Sequence, residues 1–148
     1  MKALIVYDSV HGNTQKVAQA VGDVIVGEVN VRRVGEVTTG DLKSVDLLII
    51  GSPTHGGKPT PAIRGLLDGM PGPVSTVRVA VFDTRMAAGW VKVFGFAAPR
   101  IATALRSKGW SVEAPVEGFL VKGRGGPLKD GELQRAAAWG QAIAEQAS

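Results

Sequence analysis

Short apolar runs recur along the chain at Ala3–Tyr7, Val29–Val34, Leu47–Ile50, Val77–Phe82 and Val116–Val121. Bounded by turn residues, runs of this length read as strands of a buried sheet. Between them the period changes. Thr14, Val17, Ala18, Val21, Val24 and Ile25 follow the three–four spacing of one helix face. Ala62, Ile63, Leu66, Leu67 and Met70 repeat it, as do Leu133, Ala136, Ala137, Gly140, Ile143 and Ala144. Pro99 stands where a first helical turn tolerates proline, with Ile101, Ala104 and Leu105 facing inward. Asp41 to Val45 leaves room only for a short helix, and Asp130 is placed to cap the last one.

Strands alternating with helices predict an α/β fold: a doubly wound, five-stranded parallel sheet with helices on both faces, in one domain spanning residues 1–148. The first, third and fourth runs are the most uniformly apolar and belong in the centre. The second, Glu28-Val29-Asn30-Val31-Arg32-Arg33, alternates with polar residues and suits an edge. The expected strand order is therefore 2-1-3-4-5, with a ligand at the carboxyl ends of the central strands.

Composition narrows the function. The chain has no cysteine, which removes disulfides, thiolate nucleophiles and thiolate metal sites. Its two histidines lack organised carboxylates, so no metal site is expected, and no Ser-His-Asp spacing or carboxylate pair points to hydrolysis. The net charge is +4, but the basic residues cluster only modestly, at Arg32-Arg33, Arg106 to Lys108 and Lys122 to Arg124. With few, scattered aromatics, this argues against nucleic acid and for a solvated surface that could meet acidic partners. No run is long enough to span a membrane, and the first strand begins directly after Lys2. A cytoplasmic protein, a monomer or weak homodimer, is the expectation.

Candidate chemistry sits in three loops that this topology brings to one edge. Ser9-Val10-His11-Gly12-Asn13-Thr14 joins the first strand to the first helix. Hydroxyls, unpaired backbone N–H groups and a helix dipole make it a phosphate cradle, although Asn13 or Thr14 acting only as a cap would give a similar sequence. Neither a Walker lysine nor a dinucleotide glycine spacing is present. The second loop, Gly51-Ser52-Pro53-Thr54-His55-Gly56-Gly57-Lys58-Pro59-Thr60-Pro61, pairs flexible glycines with stiff prolines. The third begins at Asp83-Thr84-Arg85 and runs on through Trp90 and Phe94.

In these motifs the chain resembles the flavodoxin family along its whole length. Flavodoxins carry Ser/Thr-x-Thr-Gly-x-Thr after the first strand. Ser9–Thr14 fits, with His11 in place of the central hydroxyl residue. Their second loop carries Thr-aromatic-Gly beside the flavin, and Thr54-His55-Gly56 follows that form with His55 where many place Trp. The usual acidic, tyrosine-bearing third loop is replaced by Asp83-Thr84-Arg85-Met86-Ala87-Ala88-Gly89-Trp90.

The resemblance implies an FMN-binding electron carrier with a redox partner protein. It implies phosphate contacts at Ser9, Val10, Gly12, Asn13 and Thr14, and ring contacts at Pro53, Thr54, His55, Gly56 and Gly57, with the Gly56 peptide free to reorient toward flavin N5. His11 either adds a charge-assisted bond or faces solvent. Asp83 and Thr84 either cap the strand end or offer N–H groups to the pyrimidine side. Arg85 is a surface charge or a counter-ion for reduced flavin. Trp90 covers the ring or fills a gap, partial ring contact being favoured because the loop has no tyrosine. Trp110 and Trp139 fall at helix-packing positions. A basic chain with cations near the ring predicts a less negative potential for the second electron than acidic flavodoxins show, and an acidic partner. The alternatives are an NAD(P)H/quinone-type reductase, with Met86 to Phe96 as a lid, and a non-catalytic binding module; Asp8 stands without the second acidic neighbour a receiver domain needs.

Overall fold

The computed structural model describes residues 1–87, 95–113 and 116–147. Strands β1 (Lys2–Tyr7), β2 (Glu28–Arg33), β3 (Leu47–Pro53), β4 (Arg78–Met86), β5 (Ser111–Val112) and β6 (Glu117–Val121) form one parallel sheet. Helices α1 (Asn13–Val24), α2 (Thr39–Lys43), α3 (Pro61–Asp68), α4 (Ala97–Ser107) and α5 (Glu132–Ala147) connect and cover it. The order is β2-β1-β3-β4-β5, with β6 also paired to β4. The anticipated 2-1-3-4-5 arrangement is present, its fifth position filled by two segments: β5 runs beside the start of β4 and β6 beside its end.

Side-chain alternation in the strands builds two cores. Leu4, Val6, Leu48, Ile50, Val79 and Val81 face α3 and α4, meeting Ile63, Leu67, Ile101 and Leu105. Ala3, Ile5, Leu47, Ile49, Ala80 and Phe82 face the other way, toward Val17, Val21, Ala136 and Ile143 of α1 and α5. Trp110 is buried in the first core and donates its Nε1–H to the Pro71 carbonyl at 3.3 Å. Trp139 packs edge-on against Phe82 and Phe119 in the second.

Two local expectations change. β4 does not stop at Phe82: Ser52↔Asp83 and Pro53↔Thr84 continue the pairing with β3, while β6 pairs from Phe82 to Met86. Asp83, Thr84 and Arg85 are therefore strand residues, and their backbone groups belong to the sheet instead of a loop. Asp130 has a fully exposed side chain paired with Lys122 at 3.6 Å, and the Gly131 carbonyl accepts the N–H of Arg135 in the first turn of α5. Trp90 and most of the anticipated lid fall at residues 88–94, outside the described residues.

Candidate functional site

At the carboxyl edge of the sheet, α1 starts abruptly after the first loop. Its N-cap is Gly12, at φ +89°, with no side-chain cap. The first helical bond runs from Lys16 N–H to Gly12 O (3.1 Å), so the N–H groups of Asn13, Thr14 and Gln15 precede the ladder. Neither Asn13 nor Thr14 serves as the cap. Asn13 donates its Nδ2–H to the Gly125 carbonyl at 3.2 Å, and Thr14 Oγ1 shares a buried 2.8 Å bond with Thr84 Oγ1. If Thr84 donates this bond, the Thr14 hydroxyl proton stays available to an acceptor in the cavity.

Internal bonds hold the loop open. Ser9 N–H donates to Asp8 Oδ1 at 2.9 Å, and Ser9 Oγ accepts the Gly12 N–H at 3.0 Å. Arg33 of β2 braces it from outside, donating to the Ser9 carbonyl at 3.0 Å, pairing with Asp8 at 3.4 Å and lying over the Tyr7 ring.

The second loop is a tight hairpin. His55 and Lys58 exchange both backbone bonds, at 2.8 and 3.0 Å, around Gly56 (φ +57°) and Gly57 (φ +80°). Positive φ at both central positions is the backbone of a type I′ turn, which explains two successive glycines. The hairpin is anchored to β4 by Thr54 N–H on the Thr84 carbonyl (2.9 Å), and to α4 by the Ala97 N–H on Thr54 Oγ1 (3.0 Å).

Behind this wall, Asp83 is fully buried and grips Arg85 through two bonds of 2.7 and 2.8 Å. It also accepts the Ala98 N–H at 2.8 Å, near the start of α4. Burial pushes the Asp83 carboxyl up from its ordinary value, while Arg85, Ala98 and Thr54 pull the other way. The two-pronged guanidinium contact is that of an ionised carboxylate. The Arg85 guanidinium lies over the Phe96 ring, 3.8 Å from its centroid.

These segments enclose a cavity of about 490 Å³. From the first loop it is lined by Ser9, Val10, His11, Asn13 and Thr14, and from the second by Pro53, Thr54, His55, Gly56 and Gly57. Thr84 and Arg85 line it from β4. Gly12, the cap of α1, is not among the lining residues, nor is Asp83, which is buried behind them, and Trp90 lies outside the described residues. Met86, the first residue of the anticipated lid, also lines it, as do Val121 and Arg124, which were not anticipated at the site. The available signal was topological: the turn after β6 opens on the same edge, and it carries Arg124 beside Gly125-Gly126-Pro127.

The lining suits a flavin mononucleotide. Its size is that of a cofactor pocket. No carboxylate lines it among the described residues, one end offers helix N–H groups and hydroxyls to a phosphate, and the other offers bare backbone at Gly56. No group of three or more His, Cys, Asp and Glu that could hold a metal occurs among the described residues.

A sequence profile of the flavodoxin domain matches residues 4–114. A search of curated proteins found no match. Among solved structures, the chain is similar to a flavodoxin from the domain Archaea, at 29% identity and a TM-score of 0.83, covering 99% of both chains. It is also similar to flavodoxin 1 of Bacillus cereus, at 20% identity and a TM-score of 0.82 over 99% of this chain and 98% of that one. A flavodoxin of Streptococcus pneumoniae TIGR4 matches at 16% identity and a TM-score of 0.79, over 99% of each chain. With the profile spanning most of the sequence, the chain belongs to the flavodoxin family of FMN-binding electron-transfer proteins.

Proposed function

We propose that FMN lies in the 490 Å³ cavity with its phosphate at Ser9–Thr14 and its ring between the His55–Lys58 hairpin and the end of β4, and that the protein passes electrons to an acidic partner. The observation that carries this reading is the cavity itself: free of carboxylates among the described residues, with an open helix N-terminus at one end and a double-glycine hairpin at the other.

FMN, when bound, supplies the redox chemistry. The chain's residues bind and tune. Asn13, Thr14 and Gln15 offer N–H groups to a phosphate, and the Thr14 hydroxyl is oriented by Thr84. The hairpin holds Gly56 without a side chain at the ring. A glycine at each central position also tolerates either orientation of the peptide between them, because types I′ and II′ both place positive φ at the first. The Asp83–Arg85 pair puts a guanidinium at the cavity wall while offsetting its charge from behind. A net charge of +4, with Lys58 and His55 exposed at the hairpin, favours an acidic partner in the cytoplasm, met by a monomer or weak homodimer.

Purified protein should carry a flavin absorption spectrum, and cofactor released by denaturation should be FMN at one per chain. A colourless protein that does not take up added FMN refutes the assignment. Electron transfer to an acidic acceptor protein should slow as salt rises from 50 to 500 mM, and a salt-independent rate argues against charge-guided docking.

A further inference from the structure

The turn after β6 is built against the proposed phosphate end. Lys122 N–H bonds the Pro127 carbonyl at 2.8 Å, Lys129 N–H bonds the Leu120 carbonyl at 2.9 Å, and Val121 bridges Leu128. The tip is tied to the first residue of α1 by Asn13 Nδ2–H on Gly125 O. The approach is so close that a Cβ on Gly126 would meet the Asn13 amide at 2.5 Å. The His11 ring lies on the same tip, its Nδ1 being 3.9 Å from where a Cβ of Gly125 would stand.

Arg124, one residue before this contact, lines the cavity. It is exposed and has no hydrogen bond or ion pair among the described residues. The other guanidiniums near the cavity are committed: Arg85 to Asp83, and Arg33 to the Ser9 carbonyl and Asp8. A phosphate dianion seated on α1 would thus meet neutral donors from its own loop and one uncommitted guanidinium from a segment 112 residues away. Arginine's planar fork suits a phosphate better than any other side chain.

We propose that Arg124 is a ligand of the FMN phosphate, closing the cradle from the turn after β6 and making affinity depend on phosphate charge. This rests on the FMN assignment above and adds a fourth segment to the three loops of the site. Because Arg124 is exposed and unbonded, its replacement leaves the fold intact, as far-UV circular dichroism should show.

The test is fluorescence titration of apoprotein with FMN and, separately, with riboflavin, which lacks the phosphate. Arg124→Gln should weaken FMN about tenfold and Arg124→Glu about a hundredfold, while riboflavin binding stays within about twofold. Arg124→Lys should keep most of the FMN affinity. The ratio between wild type and Arg124→Gln should shrink at 0.5 M salt. Unchanged FMN affinity in both the Gln and Glu variants overturns the proposal, as does an equal loss for riboflavin. If wild-type protein binds neither ligand, the FMN assignment falls and this proposal falls with it.

Discussion

Replacing Arg85 by methionine removes the guanidinium and leaves the apolar stem. Asp83 then stands fully buried with the Ala98 N–H as its main remaining partner. Breaking a buried pair from one side costs about 3–5 kcal/mol, because the survivor is a buried, uncompensated charge. With the Ala98 bond retained, about 3 kcal/mol is expected at neutral pH. At a urea dependence of about 2 kcal/mol per M, the midpoint falls by about 1.5 M. The loss depends on pH with a definite sign. Burial already raises the Asp83 carboxyl above its ordinary value, and without Arg85 it rises further. The folded form then holds a proton that the unfolded form releases near pH 4, so stability falls as pH rises from there through the raised value. Arg85→Met should therefore be closer to wild type at pH 5 than at pH 8. The double variant Asp83→Asn, Arg85→Met removes the stranded charge and should recover most of the loss. Urea unfolding of apoprotein is the assay, since bound FMN would add its own stabilisation. A loss below about 1 kcal/mol that does not change with pH, or strictly additive single and double variants, refutes the reasoning.

Two further outcomes are expected. The potential for the second electron should be less negative than in acidic flavodoxins, and Asp83→Asn should raise it further by uncovering the Arg85 charge; a spectroscopic redox titration giving the usual low value, unmoved by Asp83→Asn, argues against this. The Glu132 carboxyl is held below its ordinary value first by Arg135, with help from the Leu120 N–H. Its contribution is present above the unfolded value and is lost as pH falls through the depressed one, so Glu132→Gln should flatten the acid limb of a thermal-stability profile below the ordinary glutamate range.

Much of the fold is legible in the chain because its signals are local. Alternation and three–four spacing act between near neighbours, and the apolarity of whole strands sorts centre from edge. That is why the strand order and both helical layers follow from the sequence, and why the loops after β1 and β3 could be assigned to one edge. β4 defeated the same reasoning at Asp83, where an apolar run meets a carboxylate and pattern alone says stop. The strand continues because Arg85, two residues on, returns to neutralise that carboxylate under Ala98 of α4.

The Ser9–Thr14 loop shows the division most clearly. Its composition and its place before a helix establish that it can hold an anion, since hydroxyls and unpaired N–H groups are properties of the segment itself. Which residues hold the loop in shape is a tertiary matter. Thr14 finds its partner 70 residues away in Thr84, and Asn13 finds its own 112 residues away at Gly125. Arg124 reaches the cavity only because β6 runs parallel to β4 and delivers its following turn to the same edge. Local periodicity determines the elements and their layering. Contacts between distant segments exist only once the sheet has aligned the carboxyl ends of its strands, and those contacts decide which charges face the cavity and which are spent behind its wall.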